Sequence, residues 1–199
     1  LILTDRFFCY HTRYYPEAYV TSRERIKAAL AHSQPDRVPV DFGSTMVTGV
    51  SVSVISRIRK AMGLDSLVSR VKVTEPYQML GEIQDDLRDR LLIDCVGLFG
   101  RNNMFGFENR DWKEWTTFDD TDVLVPGLFN TTPDNEGNIP MYAGGDKSYP
   151  PAALMPKGGY YFDSLTRQRP VDDAQLDVND NLEEFGRYSD EELRHLDNR

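Results

Sequence analysis

The sequence predicts an α/β fold in which parallel strands are joined by helical crossovers. Three observations carry this reading. The stretch TSRERIKAALAHSQPDRVPVDFG, Thr21 to Gly43, reads as a capped helix, a proline stop and a short apolar strand. Two further stretches carry apolar residues at helical spacing. The run LLIDCVGLFG at 91–100 is then nearly continuous in apolar residues. Such a run suits a parallel strand buried on both faces. The order strand, helix, helix, strand suits parallel strands with helical crossovers.

The elements follow in order. Thr21 caps the first helix, and Glu24 sits three residues on, where it reaches back to the cap's N–H. Ile26, Ala29 and Leu30 make one apolar stripe. Pro35 ends the helix. Val38, Val40 and Phe42 alternate with Pro39 and Asp41, and Gly43 permits a sharp turn. Val54, Ile55, Ile58, Ala61 and Met62 form a second stripe, with Arg57, Arg59 and Lys60 opposite and Gly63 as the stop. Val71 to Val73 is too short a run to assign. Leu80, Ile83, Leu87 and Leu91 share one face, which predicts a third helix over 78–91. Val38–Phe42 and Leu92–Leu98 are then expected as neighbouring parallel strands.

The pattern changes at Asn102. DWKEWTTFDDTDVLVP has two β-rich pieces around an Asp/Thr turn, a hairpin. A third short strand is expected near Ile139 to Tyr142. KSYPPAALMPKGGYYFD reads as a proline- and glycine-rich loop, and the stretch from Asn181 onward as one helix with Leu193 and Leu196 apolar.

Composition narrows the function. The chain has 199 residues, 40% of them hydrophobic, enough for one sizeable core. The net charge of −9 argues against general nucleic-acid or anionic-membrane binding, which need clustered Lys and Arg. Ten acids and three arginines fall between Asp172 and Arg199, so the tail carries most of that charge as a solvated run. Two cysteines, Cys9 and Cys95, suit a reducing cytoplasm. Cys9 and His11 have no second pair at zinc-like spacing. No apolar run approaches the ~18 residues of a membrane span. Residues 1–20 read as an extension outside the fold.

Three stretches carry a resemblance: TSRERIKAALAHSQPDRVPVDFG, IDCVGL after an amphipathic helix, and MPKGGYYFDS. Together they resemble the uroporphyrinogen decarboxylase superfamily, which includes corrinoid-linked methyltransferases. The resemblance runs from about Thr21 to the C-terminus. It implies a (β/α)₈ TIM barrel with its site at the C-terminal mouth of the strands. A whole barrel takes about 250 residues. The expectation is therefore a partial barrel of the first two or three βα units. An inserted β-hairpin and loop region over 102–163 and an acidic tail over 172–199 complete it. Such a truncated barrel is expected to be inactive by itself and prone to self-association through an exposed sheet edge.

The resemblance also bears on chemistry. The decarboxylase uses two arginines after the first strand to bind tetrapyrrole carboxylates, a task suited to bidentate guanidiniums. Ser44 and Thr48 stand at those positions here, and Arg101 stands near the position of the catalytic aspartate. Asp94 matches a position inside the strand, where a structural role bonding backbone is expected. The methyltransferase branch is therefore the leading expectation, acting on a small methylated or corrinoid-bound substrate, with zinc and a corrinoid partner in the parent enzyme. Tetrapyrrole decarboxylation with altered carboxylate contacts is the alternative. A non-catalytic association module is the third. No metal ligand set is visible in the sequence.

Strand ends supply the site candidates. These are Asp41 and Ser44 after the first strand, and Arg101, Asn102 and Asn103 after the second. Asp41 suits a substrate hydrogen bond and Arg101 an anionic group; a turn cap and a solvent-facing cation are the alternatives. Lys157, Tyr160 and Tyr161 are candidates from the proline-rich loop.

Overall fold

The computed structural model describes residues 20–64, 70–165, 172–175, 177–178 and 187–198. The sequence-predicted extension up to Tyr19, the Cys9–His11 pair and the first part of the predicted tail helix lie outside them. The chain divides into two units, Leu1–Pro39 and Val40–Arg199.

In the first unit, α1 (Ser22–Leu30) starts at Thr21 with the expected capping box, closed by Glu24. Its anchor is Arg25, buried although charged. The guanidinium grips Asp36 through two nitrogens at 2.7 Å and donates to the Val20 carbonyl at 3.1 Å. Asp36 belongs to the PDRVPV stretch, so part of that motif serves to hold the helix. The Arg25 hydrogen bond holds the Asp36 carboxyl below its ordinary range.

The second unit is mixed α/β, with two sheets over one core. Its helices and strands are α2 (Val52–Ala61), β1 (Val71–Glu75), β2 (Leu80–Gly81), α3 (Asp85–Arg90), β3 (Lys113–Thr116), β4 (Asp122–Val125), β5 (Ile139–Met141), β6 (Ala153–Met155), β7 (Asp163–Ser164) and α4 (Asp190–Asp197). The first sheet has the order β2-β1-β4-β3 and the second β5-β6-β7. β1 and β4 pair in parallel, Val71 opposite Val123, while the β3–β4 hairpin and the β1–β2 pair are antiparallel. Alternate residues of β1 and β4 point inward, and Val71, Val73, Val123 and Val125 are buried. They meet α2 through Val52 and Ile55, and the second sheet through Ile139, Met141, Ala153 and Met155. Phe129 lies between the sheets' residues in this core, 5.3 Å from Trp115 and 5.8 Å from Phe162 by ring centroid.

The hairpin and the third strand fall where the sequence predicts them. Several other expectations are corrected. The 78–91 stretch is not one helix. Pro76 to Met79 make a tight turn, with Met79 at φ 57°, and Leu80–Gly81 return as β2. Gly81 passes so close that an added Cβ would meet the Val52 Cα at 3.0 Å. Only Asp85–Arg90 is helical. The run Val71 to Val73, too short to assign from sequence, belongs to a strand bonded on both edges.

The expected parallel pair Val38–Phe42 and Leu92–Leu98 is not a pair of strands. The Asp94 N–H donates to the Val40 carbonyl at 2.8 Å, and the Asp94 carboxylate accepts the Val40 N–H at 2.9 Å. Asp94 thus bonds backbone, as expected, but across the fold. Among the described residues the 92–98 run joins neither sheet, and Leu92, Val96 and Leu98 stand exposed. The parallel pairing that exists is β1 with β4, and the described residues form no closed barrel. The proline-rich loop also hides β6, and the α2 stripe is rotated, with Val54 and Met62 exposed. Arg59, expected on the solvent side, is buried. It holds Asp86 at 2.6 and 2.9 Å and the Leu64 carbonyl at 2.8 Å, pinning α2 to α3.

Three helices close with the same backbone motif. The residues after the caps of α1, α2 and α3 are His32 (φ 54°), Gly63 (φ 68°) and Leu92 (φ 55°), all left-handed. In each, the next N–H returns to the carbonyl five residues earlier, as Ile93 does to Arg88 at 3.0 Å. This turn at Leu92 is what takes the chain out of α3.

Two outcomes are expected in denaturant titrations. Phe129→Ala removes a fully buried ring and lowers stability by about 3–5 kcal/mol. Leu92→Gly relieves a left-handed side chain that is mostly exposed, and raises stability by about 0.5–1 kcal/mol.

Candidate functional site

The C-terminal end of β1 opens onto a cleft of about 290 Å³. Three segments wall it. The first is the turn after Val40. Asp41 accepts the Ser44 N–H at 3.2 Å, the Ser44 hydroxyl at 2.7 Å and the Thr48 hydroxyl at 3.3 Å. Thr45 and Thr48 bond each other's N–H through their hydroxyls at 3.1 Å. Gly97 passes against this turn; an added Cβ there would lie 2.6 Å from the Ser44 carbonyl oxygen. The second wall is the strand end itself, Thr74 and Glu75. The third runs from Leu98 to Met104. It is anchored because Asn103 donates to Asn109 at 2.9 Å, and Asn109 donates to the Thr74 carbonyl at 2.6 Å.

The lining is uncharged apart from Glu75. Ser44, Thr45, Asn102, Asn103 and Asn109 supply hydroxyls and amides, while Met46, Leu98, Phe99 and Met104 supply apolar surface. A second cleft of about 210 Å³ shares Thr74 and Phe99 and reaches Cys95 and Arg88. Burial, and secondarily the Asp41 and Asp94 charges, push the Cys95 thiol up, so it stays protonated at neutral pH.

Glu75 is the residue that sequence reasoning missed. It is 4% exposed. Its two carboxylate oxygens accept the Tyr77 N–H at 3.0 Å and the Gln78 N–H at 2.7 Å, closing the β1–β2 turn. Burial raises its carboxyl above the ordinary range, opposed by those two N–H donors. No described cation pairs with it. The signal was present as an acid directly before Pro76 at the end of VKVTE, but that run was too short to be taken as a strand.

The predicted candidates separate. Ser44, Asn102 and Asn103 come together in the cleft. Asp41 is not part of the lining and takes the turn-cap role. Arg101 turns away to Glu108 at 2.7 Å and to Glu191 of α4, and its pairing with Glu108 lowers that carboxyl's pKa. Tyr160 stands 58% exposed. It lines a different cavity, of about 10 Å³, too small for a ligand. Lys157 lies in a turn, its N–H bonded to Asn138 at 3.0 Å.

No family model, no curated protein and no solved structure matches the chain. No described helix is long and apolar enough to cross a membrane. Among the described residues, no group of three His, Cys, Asp or Glu is placed to hold a metal.

Glu75 sets a specific pH dependence. Its folded carboxyl binds a proton more tightly than the unfolded one. Its stabilising contribution is therefore present below the unfolded pKa and lost as pH rises through the folded value. Glu75→Gln removes this pH dependence, along with one backbone acceptor at every pH. The mutant's stability relative to wild type should rise as pH climbs from the unfolded carboxyl's pKa through the raised folded one, as read by urea titrations from acid to neutral pH. A difference that does not change with pH would show that burial does not perturb this carboxyl.

Proposed function

We propose that the chain forms part of an enzyme of the uroporphyrinogen decarboxylase superfamily, one that acts on a small methylated substrate or a corrinoid-bound methyl group. The motifs TSRERIKAALAHSQPDRVPVDFG and MPKGGYYFDS support the family. One structural observation carries the choice of branch: the cleft at the end of β1 holds a buried carboxylate and no Lys or Arg.

A substrate with several carboxylates needs opposing cations in a partly buried site, because an uncompensated buried charge is very costly. Ser44 and Thr48 are committed to Asp41, and Arg101 to Glu108 and Glu191. The cleft also lies at the lower edge of the roughly 300–1,000 Å³ that ligand pockets occupy. Both features favour a small, uncharged or cationic ligand over a tetrapyrrole.

The zinc that the methyltransferase branch implies finds no ligand set among the described residues. This part of the chain thus contributes binding: Glu75 and the asparagine amides orient polar groups, and the methionines and Phe99 receive methyl groups.

The test uses the intact gene product that contains this chain. It is expected to consume methylcobalamin in the presence of a thiol and to release no CO₂ from uroporphyrinogen. The double substitution Ser44→Arg/Thr48→Arg brings a cation into the cleft lined by Glu75 and breaks the Asp41 turn, so it should slow the methyl reaction. Robust uroporphyrinogen decarboxylation by the wild type would replace this reading with the decarboxylase.

A further inference from the structure

We infer that the cleft beside Glu75 binds a methylated ammonium group, with the Glu75 carboxylate as its counter-charge. The inference rests on the reading of this cleft as the substrate site and names the substrate's charge and shape.

Glu75 is nearly fully buried yet lines an open cleft. A carboxylate has about four acceptor positions, and the Tyr77 and Gln78 N–H groups take two. These backbone donors hold the group in one orientation without neutralising it. No described Lys, Arg or His completes the pairing, and burying an unpaired charge is costly. An anionic ligand would be repelled. A neutral ligand would strip remaining water from the carboxylate and return no charge. A cation offsets the burial.

The rest of the lining selects the kind of cation. A bare metal ion prefers several oxygen ligands, and no described cluster of acids supplies them. Met46, Leu98 and Met104 instead offer apolar contact, and Phe99 an aromatic ring. Aromatic faces attract organic cations, quaternary ammonium groups among them. Methyl groups on the nitrogen match this apolar surface, and about 290 Å³ admits a group of that size.

The experiment titrates trimethylammonium chloride, tert-butyl alcohol and pivalate into the full 199-residue chain at about pH 7.5, followed by NMR. Trimethylammonium should bind saturably, with shifts at Ser44, Thr74 and Asn102, and pivalate should not. Glu75→Gln should weaken the cation at least about tenfold, while Tyr160→Phe leaves it unchanged. If Glu75→Gln does not fold, a wild-type readout replaces it: saturation with trimethylammonium must lower the pKa of the isotope-labelled Glu75 carboxyl. Equal binding of the cation and the alcohol, indifferent to Glu75→Gln or without a Glu75 pKa change, overturns the charge assignment and leaves the small-ligand site standing. Absence of saturable binding by any probe overturns both.

Discussion

The larger unit depends on β1 being bonded on both edges and buried on one face. Val71 and Val73 are the inward residues of that strand. β2 closes one side, β4 pairs in parallel on the other, and α2 covers it. A parallel neighbour cannot be supplied by a tight turn. The chain must therefore leave β1, form α3 and the 91–112 segment, build β3, and return as β4. The long excursion places the 98–104 wall beside the strand end. The cleft is thus a by-product of the connection that β1 and β4 require.

Charged residues fix the joints around this strand. Arg59 is buried between α2 and the start of α3, and its guanidinium meets both a carboxylate and a backbone carbonyl. Asp119, in the β3–β4 turn, accepts the Ser53 hydroxyl at 3.0 Å and pairs with Arg57 at 2.7 Å, tying the hairpin to α2. Bidentate guanidinium–carboxylate pairs specify angle as well as distance. The Arg59–Asp86 pair sets how α2 lies against α3, while Arg57 adds a single contact to the β3–β4 turn.

Local signals were legible in the sequence. Thr21 with Glu24 announced α1, and the Asp/Thr turn announced the β3–β4 hairpin, because caps and turns are decided within a few residues. What failed was decided at longer range. β1 is a five-residue strand whose identity comes from β4, some fifty positions on. Leu80 has the spacing of a helix face with Leu87, yet Pro76 and Glu75 impose a turn just before it. The apolar run at 92–98 has the composition of a buried strand, yet among the described residues it joins neither sheet. Arg59 reads as a surface cation until Asp86 is placed opposite. Ser44, Asn102 and Asn103 line one cleft, although neither 38–42 nor 92–98, the strands they were expected to follow, is a strand. Glu75 escaped the strand-end rule because its strand went unassigned.

The two N–H groups that close the β1–β2 turn both end on Glu75. Protonation or engagement of that carboxylate changes the acceptor strength felt by Tyr77 and Gln78 together. Hydrogen–deuterium exchange at these two amides is therefore a built-in gauge of the carboxylate's state. Because Phe162 donates its N–H to the Tyr77 carbonyl at 2.8 Å, the same peptide also hands the disturbance to the edge of the second sheet.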